Sequence, residues 1–299
     1  MQLRGWTNTG YAGNNARSSQ REATGTALRL TLCFLELANM EKKTVLITGA
    51  SGLIGGLTIA GLSDKYDFSG LSRRPVDGIS HLQADVVDAD AIKPAFQGIH
   101  SVLHLAAATD DSITERWETT MDTTVHGTLN VYEAAREAGV SRIVFMSSGC
   151  VQLAYEWPEG SPYGTLADGP DDQIPDSWEM VDLTWPVRPD SPYAVGKLFG
   201  ENLGRFYADK HGISTLVIRL GAVLDSDRPE LRRQYPGYLS QSDVVQMIDK
   251  CLSAPDDLMF DIFDAISENK WRWRSTDHAK EVLGWQPTGR SESHPWPKE

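Results

Sequence analysis

The chain has 299 residues, 40% hydrophobic and 23% charged, a composition that excludes disordered and fibrous chains and suits one large α/β domain or two small ones. Its 28 basic residues against 41 acidic ones leave a net charge of −13, a field that repels phosphate backbones and anionic lipid, so neither nucleic acid nor a membrane is an expected partner. Cys33, Cys150 and Cys251 form no CxxC pair, no histidine has ligand spacing, and no apolar run reaches the roughly 20 residues of a membrane span; a cytoplasmic protein without a metal site is the expectation.

In chain order, residues 1–39 are polar and carry Arg4, Arg17, Arg21 and Arg29 against Glu22 and Glu36. They read as a disordered extension or a start placed too early, because Met40-Glu41-Lys42-Lys43 leads straight into a strand; a targeting segment is the alternative. Residues 40–299 then alternate β-branched runs (44–48, 67–71, 101–105, 142–147, 215–219, 259–263) with helical patterns (53–62, 89–96, 116–138, 192–210, 242–252, 277–283). That alternation predicts an α/β domain, a Rossmann-type doubly wound parallel sheet. Residues 152–190 break the rhythm with six prolines and nine acidic residues against one basic one, Arg188. This is the pattern of a loop or lid.

The first turn reads Thr48-Gly49-Ala50-Ser51-Gly52-Leu53-Ile54-Gly55. Between a strand and a helix, Gly49 permits the tight turn, Gly52 admits a pyrophosphate to the backbone of Ser51, Leu53 and Ile54, and Gly55 lets helix and strand pack closely. The second strand ends in Ser72-Arg73-Arg74 with no acid, which offers Ser72 as a hydroxyl donor beside two arginines to a ribose 2′-phosphate and so suits NADP, with NAD still open; a pair of solvated arginines is the other reading. Asp85-Val86 and Leu105-Ala106-Ala107 would complete the adenosine and ribose walls.

Ser191-Pro192-Tyr193-Ala194-Val195-Gly196-Lys197 starts a helix with an N-cap and a first-turn proline, and puts Lys197 one turn after Tyr193. A phenol needs a nearby cation to exchange a proton at neutral pH. Ser147-Ser148 end a strand where a hydroxyl could orient a carbonyl. Cys150 reads as a wall residue, and Trp271 and Trp273 as packing.

Together these motifs, with Gly127-Thr128-Leu129-Asn130-Val131, resemble the extended branch of the short-chain dehydrogenase/reductases, the NAD(P)-dependent epimerases and dehydratases, from about residue 44 to 287. The resemblance implies Ser148 as the orienting hydroxyl, Tyr193 as the acid/base, and Lys197 as the group that binds nicotinamide ribose and lowers the tyrosine pKa. Within the branch the far end, 238–287, is similar to the uronate dehydrogenase group, which implies a small C-terminal substrate-binding extension over about 221–287, and Thr109, Ser148, Gly149 and Arg219 on the substrate side. Arg219 could hold a carboxylate bidentately, and a sheet-end arginine satisfied by backbone carbonyls is its other reading. Two departures are Thr124, where an asparagine is common, and Gly149-Cys150 in place of Asn-His. The function implied is hydride transfer between a nicotinamide and a small polar alcohol or carbonyl, a sugar or sugar acid, with a homodimer open. A nucleotide-sugar epimerase or dehydratase is the first alternative, opposed by the acidic lid and by the 80 residues left after Arg219. A non-catalytic NADP(H) sensor is the second, opposed by Tyr193 and Lys197.

Overall fold

The computed structural model describes residues 42–108 and 115–295; the N-terminal segment and Thr109 lie outside the described residues. In β1 (Lys43–Thr48) successive side chains take opposite sides, Val45 and Ile47 entering one core and Leu46 the other. Burial on both faces explains why the strand reads as an unbroken apolar run. After α1 (Leu53–Leu62), β2 (Tyr66–Ser72) and the short edge strand β3 (Ser80–Gln83) come α2 (Ala89–Ile92) and β4 (Ser101–His104). The expected helix at 116–138 is three pieces: α3 (Trp117–Thr119), a π-helical stretch (Thr120–His126) and α4 (Gly127–Ala138). The second half holds β5 (Arg142–Ser148), α5 (Pro162–Asp168), α6 (Pro192–His211), β6 (Ser214–Leu220), α7 (Gln234–Gly237), α8 (Gln241–Leu252), β7 (Phe260–Ala265) and α9 (Asp277–Leu283).

All seven strands are parallel, in the order β3-β2-β1-β4-β5-β6-β7. One core, with Leu62, Val244, Met247 and Trp285, packs α1, α8 and α9 on one face; the other, with Ile92, Phe96, Val131, Tyr132 and Tyr207, packs α2, α4 and α6 on the opposite face. Each fully buried aliphatic side chain contributes about 1.5–3 kcal/mol. The order reverses between β1 and β4, so the crevice beyond their carboxyl ends is where a ligand sits.

The segment at 152–190 is more structured than its composition suggests. It carries α5 and closes its own cluster of Tyr163, Leu166, Val181 and Trp273, with Trp178 and Trp271 against it. Val181 donates to the Trp273 carbonyl and accepts from Ser275 N, both at 2.8 Å, which sews the segment to the C-terminal region. No helix of the described residues is long and apolar enough to cross a membrane.

Candidate active site

At the first βα turn Gly49 has φ +72°, and a Cβ there would lie 2.9 Å from Ala106 N. Only glycine satisfies both constraints. A Cβ at Gly55 would meet the Ala50 carbonyl at 2.5 Å, whereas one at Gly52 would touch only the Gly49 carbonyl, at 3.3 Å. Gly52 caps α1 without a side-chain hydrogen bond, so the first-turn N–H groups of Leu53, Ile54 and Gly55 are available to an anion. This cradle fits the pyrophosphate of a dinucleotide.

Beside it, Arg74 reaches over the turn, its Nη2 donating to the Ser51 carbonyl at 3.2 Å, while Arg73 is exposed. Ser72 differs from its expected role. It is buried, donates its hydroxyl to the Arg74 carbonyl at 2.7 Å and meets His81 Nε2 at 2.9 Å, so it shapes the turn that presents Arg74 and has no proton left for a phosphate. Asp85 is committed in part to Val87 N at 3.1 Å, and the Val86 and Val87 carbonyls both accept from Asn130 Nδ2 at 3.0 Å. Leu105 N and Ala106 N donate to the Thr48 carbonyl and hydroxyl, at 3.1 and 3.3 Å, which fixes that wall; Ala107 is half-buried beyond it.

Ser191 caps α6, accepting from Ala194 N at 3.2 Å, with Pro192 as the first helical residue. The helix carries glycine where it approaches the sheet, and at Gly200 a Cβ would stand 2.2 Å from Phe145 Cζ. That close approach buries Lys197, whose Nζ donates to the Met146 carbonyl at 2.7 Å and lies 5.4 Å from the centre of the Tyr193 ring. Burial pushes the Tyr193 phenol up, and the Ser148 hydroxyl hydrogen-bonded to it pulls the other way. The same burial brings Lys197 down to about 7, against the pull of Cys150 and Glu201. Ser148 itself accepts from Cys150 N at 3.2 Å. Ser148, Tyr193 and Lys197 therefore meet at the carboxyl edge of β5. A proton carried by Tyr193 has a hydroxyl beside it and a cation within one helical turn.

Arg219 is the main departure on the substrate side. It is 4% exposed and grips Glu201 with two parallel bonds, Nε to Oε1 at 2.9 Å and Nη2 to Oε2 at 2.7 Å, so the guanidinium edge expected to hold a substrate carboxylate holds a protein one. Thr124, on the π-helical stretch, has a buried hydroxyl with no partner. Gly149 lies directly under Arg274: a Cβ there would be 2.2 Å from Nη2, while Nη1 donates to Asp264 at 2.5 Å. Neither Glu201 nor Arg274 was singled out by sequence, although Glu201 follows Lys197 at helical spacing. Arg233, just before α7, is exposed, and its charge draws down the pKa of Cys150, Glu156 and Asp190. Burial nonetheless raises Glu156 to about 7.

The chain matches the NAD dependent epimerase/dehydratase family over residues 45–248. It is 32% identical to L-arabinose 1-dehydrogenase (NAD(P)(+)) of Haloferax volcanii over 260 residues, which is 83% of this chain and 97% of that protein. It is 33% identical to NAD-dependent glucose-6-phosphate dehydrogenase of the same organism over 257 residues, 83% and 94% of the two chains. Among solved structures, a mutant of uronate dehydrogenase from Agrobacterium tumefaciens complexed with NAD superposes with a TM-score of 0.72 at 28% identity, covering 86% of this chain and 92% of that one. With the dinucleotide cradle, the Tyr193/Lys197 pair and the sheet order all in place, the chain belongs to the NAD dependent epimerase/dehydratase family, in the extended short-chain dehydrogenase/reductase branch.

Proposed function

We propose that the protein, an NAD(P)-dependent dehydrogenase, oxidises a hydroxyl of a small sugar or sugar acid with Tyr193 as base, Ser148 as the orienting hydroxyl and Lys197 as the cation that makes a phenolate accessible. The observation that carries this reading is the buried Lys197 ammonium next to the Tyr193 ring, 5.4 Å from its centre. In oxidation Ser148 holds the substrate oxygen, Tyr193 as phenolate takes the hydroxyl proton, and the hydrogen on carbon leaves with its electron pair. The bound nicotinamide supplies the two-electron acceptor. The glycine turn holds the pyrophosphate, Asp85, Val86, Leu105, Ala106 and Ala107 wall the adenosine, and Arg74 beside Arg73 favours a 2′-phosphate, hence NADP over NAD.

On the substrate side, Arg233 is, among the described residues, a cation available to an acidic substituent, since Arg219 is committed to Glu201. Thr109, Ser148 and Gly149 complete the expected lining. The relatives act, by name, on a pentose, a sugar phosphate and a uronate, which supports a monosaccharide-sized substrate. We further infer a cytoplasmic homodimer without nucleic-acid or membrane partners. Among the described residues, Trp117, Met121 and Leu129 lie exposed on the pieces of 117–138, and Val195 and Phe206 on α6, apolar side chains that a second copy could cover.

The test is a panel of L-arabinose, D-glucuronate, D-glucose 6-phosphate and simple carbonyls with both cofactors, on wild type and Tyr193→Phe. The variant is expected to lose most turnover while retaining NADP binding by titration. Near wild-type turnover in Tyr193→Phe would remove Tyr193 from the mechanism.

A further inference from the structure

Glu201 sits one turn beyond Lys197 on α6 and is 4% exposed. Its carboxylate accepts three hydrogen bonds: Oε1 from Ser147 Oγ at 2.6 Å and from Arg219 Nε at 2.9 Å, and Oε2 from Arg219 Nη2 at 2.7 Å. Ser147, Arg219 and Asp264 are register neighbours on β5, β6 and β7, and Asp264 accepts from Arg274. Charge thus alternates in sign along a buried row, Lys197, Glu201, Arg219, Asp264, Arg274, from the catalytic lysine to the turn after Ser148. Such a row is costly to desolvate, and an apolar replacement often packs as well, so its position beside Lys197 calls for a reason.

We propose that Glu201 is a positioning residue for hydride transfer: held in place by two bonds from Arg219 and one from Ser147, it is the counter-charge that keeps Lys197 an ammonium beside Tyr193. The inference rests on the roles given above to Tyr193 and Lys197. Among the described residues, Cys150 and Glu201 are the groups whose negative charge would favour the ammonium, and burial holds the Cys150 thiol protonated. From β4 the lysine faces His104, which burial keeps neutral; from β5 the Phe145 ring, 5.2 Å from Nζ, and the Met146 carbonyl; from the turn after β5 the Cys150 thiol; and from α6 the Tyr193 phenol. Burial already draws the ammonium toward neutrality with Glu201 in place. Without that charge, burial draws Lys197 further toward neutrality and the phenolate loses part of its support.

The experiment is the pH dependence of oxidative kcat/KM for Glu201→Gln, using NADP and whichever of L-arabinose, D-glucuronate and D-glucose 6-phosphate the wild type turns over best. Its ascending limb should move up by about one pH unit, a roughly tenfold loss of rate at pH 7 that is recovered at higher pH. The double variant Glu201→Gln/Arg219→Met removes both charges together and covers failure of the single variant to fold; its limb should move the same way, since of the two it is Glu201, one turn from Lys197 on α6, whose charge acts on the lysine. A limb that stays in place in the folded variant, with the rate lowered by one factor at every pH, overturns the proposal and leaves Glu201 a packing residue. Tyr193→Phe run alongside separates the two failures. Retained turnover there sinks the assignment of Tyr193, whereas lost turnover with an unmoved Glu201→Gln limb sinks only the role of Glu201.

Discussion

Arg74 and Gly149 show how single positions set chemistry through their neighbours. Arg74 folds over the glycine turn because Ser72 holds its carbonyl, and a charge-assisted contact from it to a 2′-phosphate is worth about 1.5–3 kcal/mol, a factor of roughly ten to a hundred. Arg74→Ala should therefore lower kcat/KM for NADP by about that factor and leave NAD unchanged; equal losses with both cofactors would place the guanidinium elsewhere. At Gly149 an added Cβ collides with a guanidinium that Asp264 pins. Gly149→Ala should break this buried pair, a loss of up to about 3–5 kcal/mol readable by urea unfolding. The glycine turn, the Tyr193/Lys197 spacing and the Ser148 strand end were legible in sequence because each is a local pattern. The Glu201 partner of Arg219 was not legible because it lies 18 residues away on a neighbouring helix, and no local pattern says which carboxylate a strand-end arginine will meet. The Ser72 hydroxyl was misassigned for the same kind of reason: its acceptor, two residues on, depends on how the chain turns after β2.

The helix α6 is the element that builds the site, and it does so by omitting side chains. Gly200 meets the Phe145 ring, and Gly204 faces Thr215 and the Tyr132 hydroxyl. Each interior glycine costs about 1 kcal/mol of helix propensity relative to alanine, a cost offset by seating Lys197 and Glu201 in the sheet. Gly200→Ala should thus destabilise by about 1–3 kcal/mol through overpacking and lower turnover further by lifting Lys197 from Met146; a rise in Tm would contradict this packing. Elements with strong periodicity were legible to within a residue or two, α9 and α8 among them. The π-helical stretch was not, since one extra residue per turn leaves the apolar spacing of 116–138 looking like an ordinary helix. In the 152–190 segment, Ser161 and Pro162 carry a helix-start signal for α5, yet proline and acid content outweighed it. What orders that segment is aromatic packing on Trp273, a contact across more than a hundred residues of chain from Tyr163.

For the whole molecule, two buried groups should give stability opposite slopes with pH. His104 lies between Thr48 and Thr128: Nδ1 is 2.7 Å from the Thr48 hydroxyl and Nε2 3.1 Å from that of Thr128, whose own proton goes to the Thr124 carbonyl at 2.6 Å. This chain suits a neutral ring with Nε2 protonated, and burial lowers the pKa from 6.5 to about 3. The unfolded chain then takes up a proton that the folded one refuses, so stability is lost as pH falls from about 6.5 toward 3, by at most about 1.4 kcal/mol per unit. Glu156 works the other way. Its pKa is raised from 4.5 to about 7 by burial, so the folded state binds its proton first and gains stability as pH falls from about 7 to 4.5. Asp190 and Asp264, also raised by burial, add to that gain. The opposing slopes overlap between about 6.5 and 4.5, where the wild type should hold its Tm, and below about 4.5 the His104 penalty acts without the Glu156 gain, so the fall should be steep. Thermal melts across pH 3–8 on the wild type, His104→Gln and Glu156→Gln separate the contributions. Relative to wild type, His104→Gln should gain stability with acidification and Glu156→Gln should lose it; parallel curves for all three would mean that His104 is protonated in the fold and that the Thr48–His104–Thr128 chain is not the neutral one described.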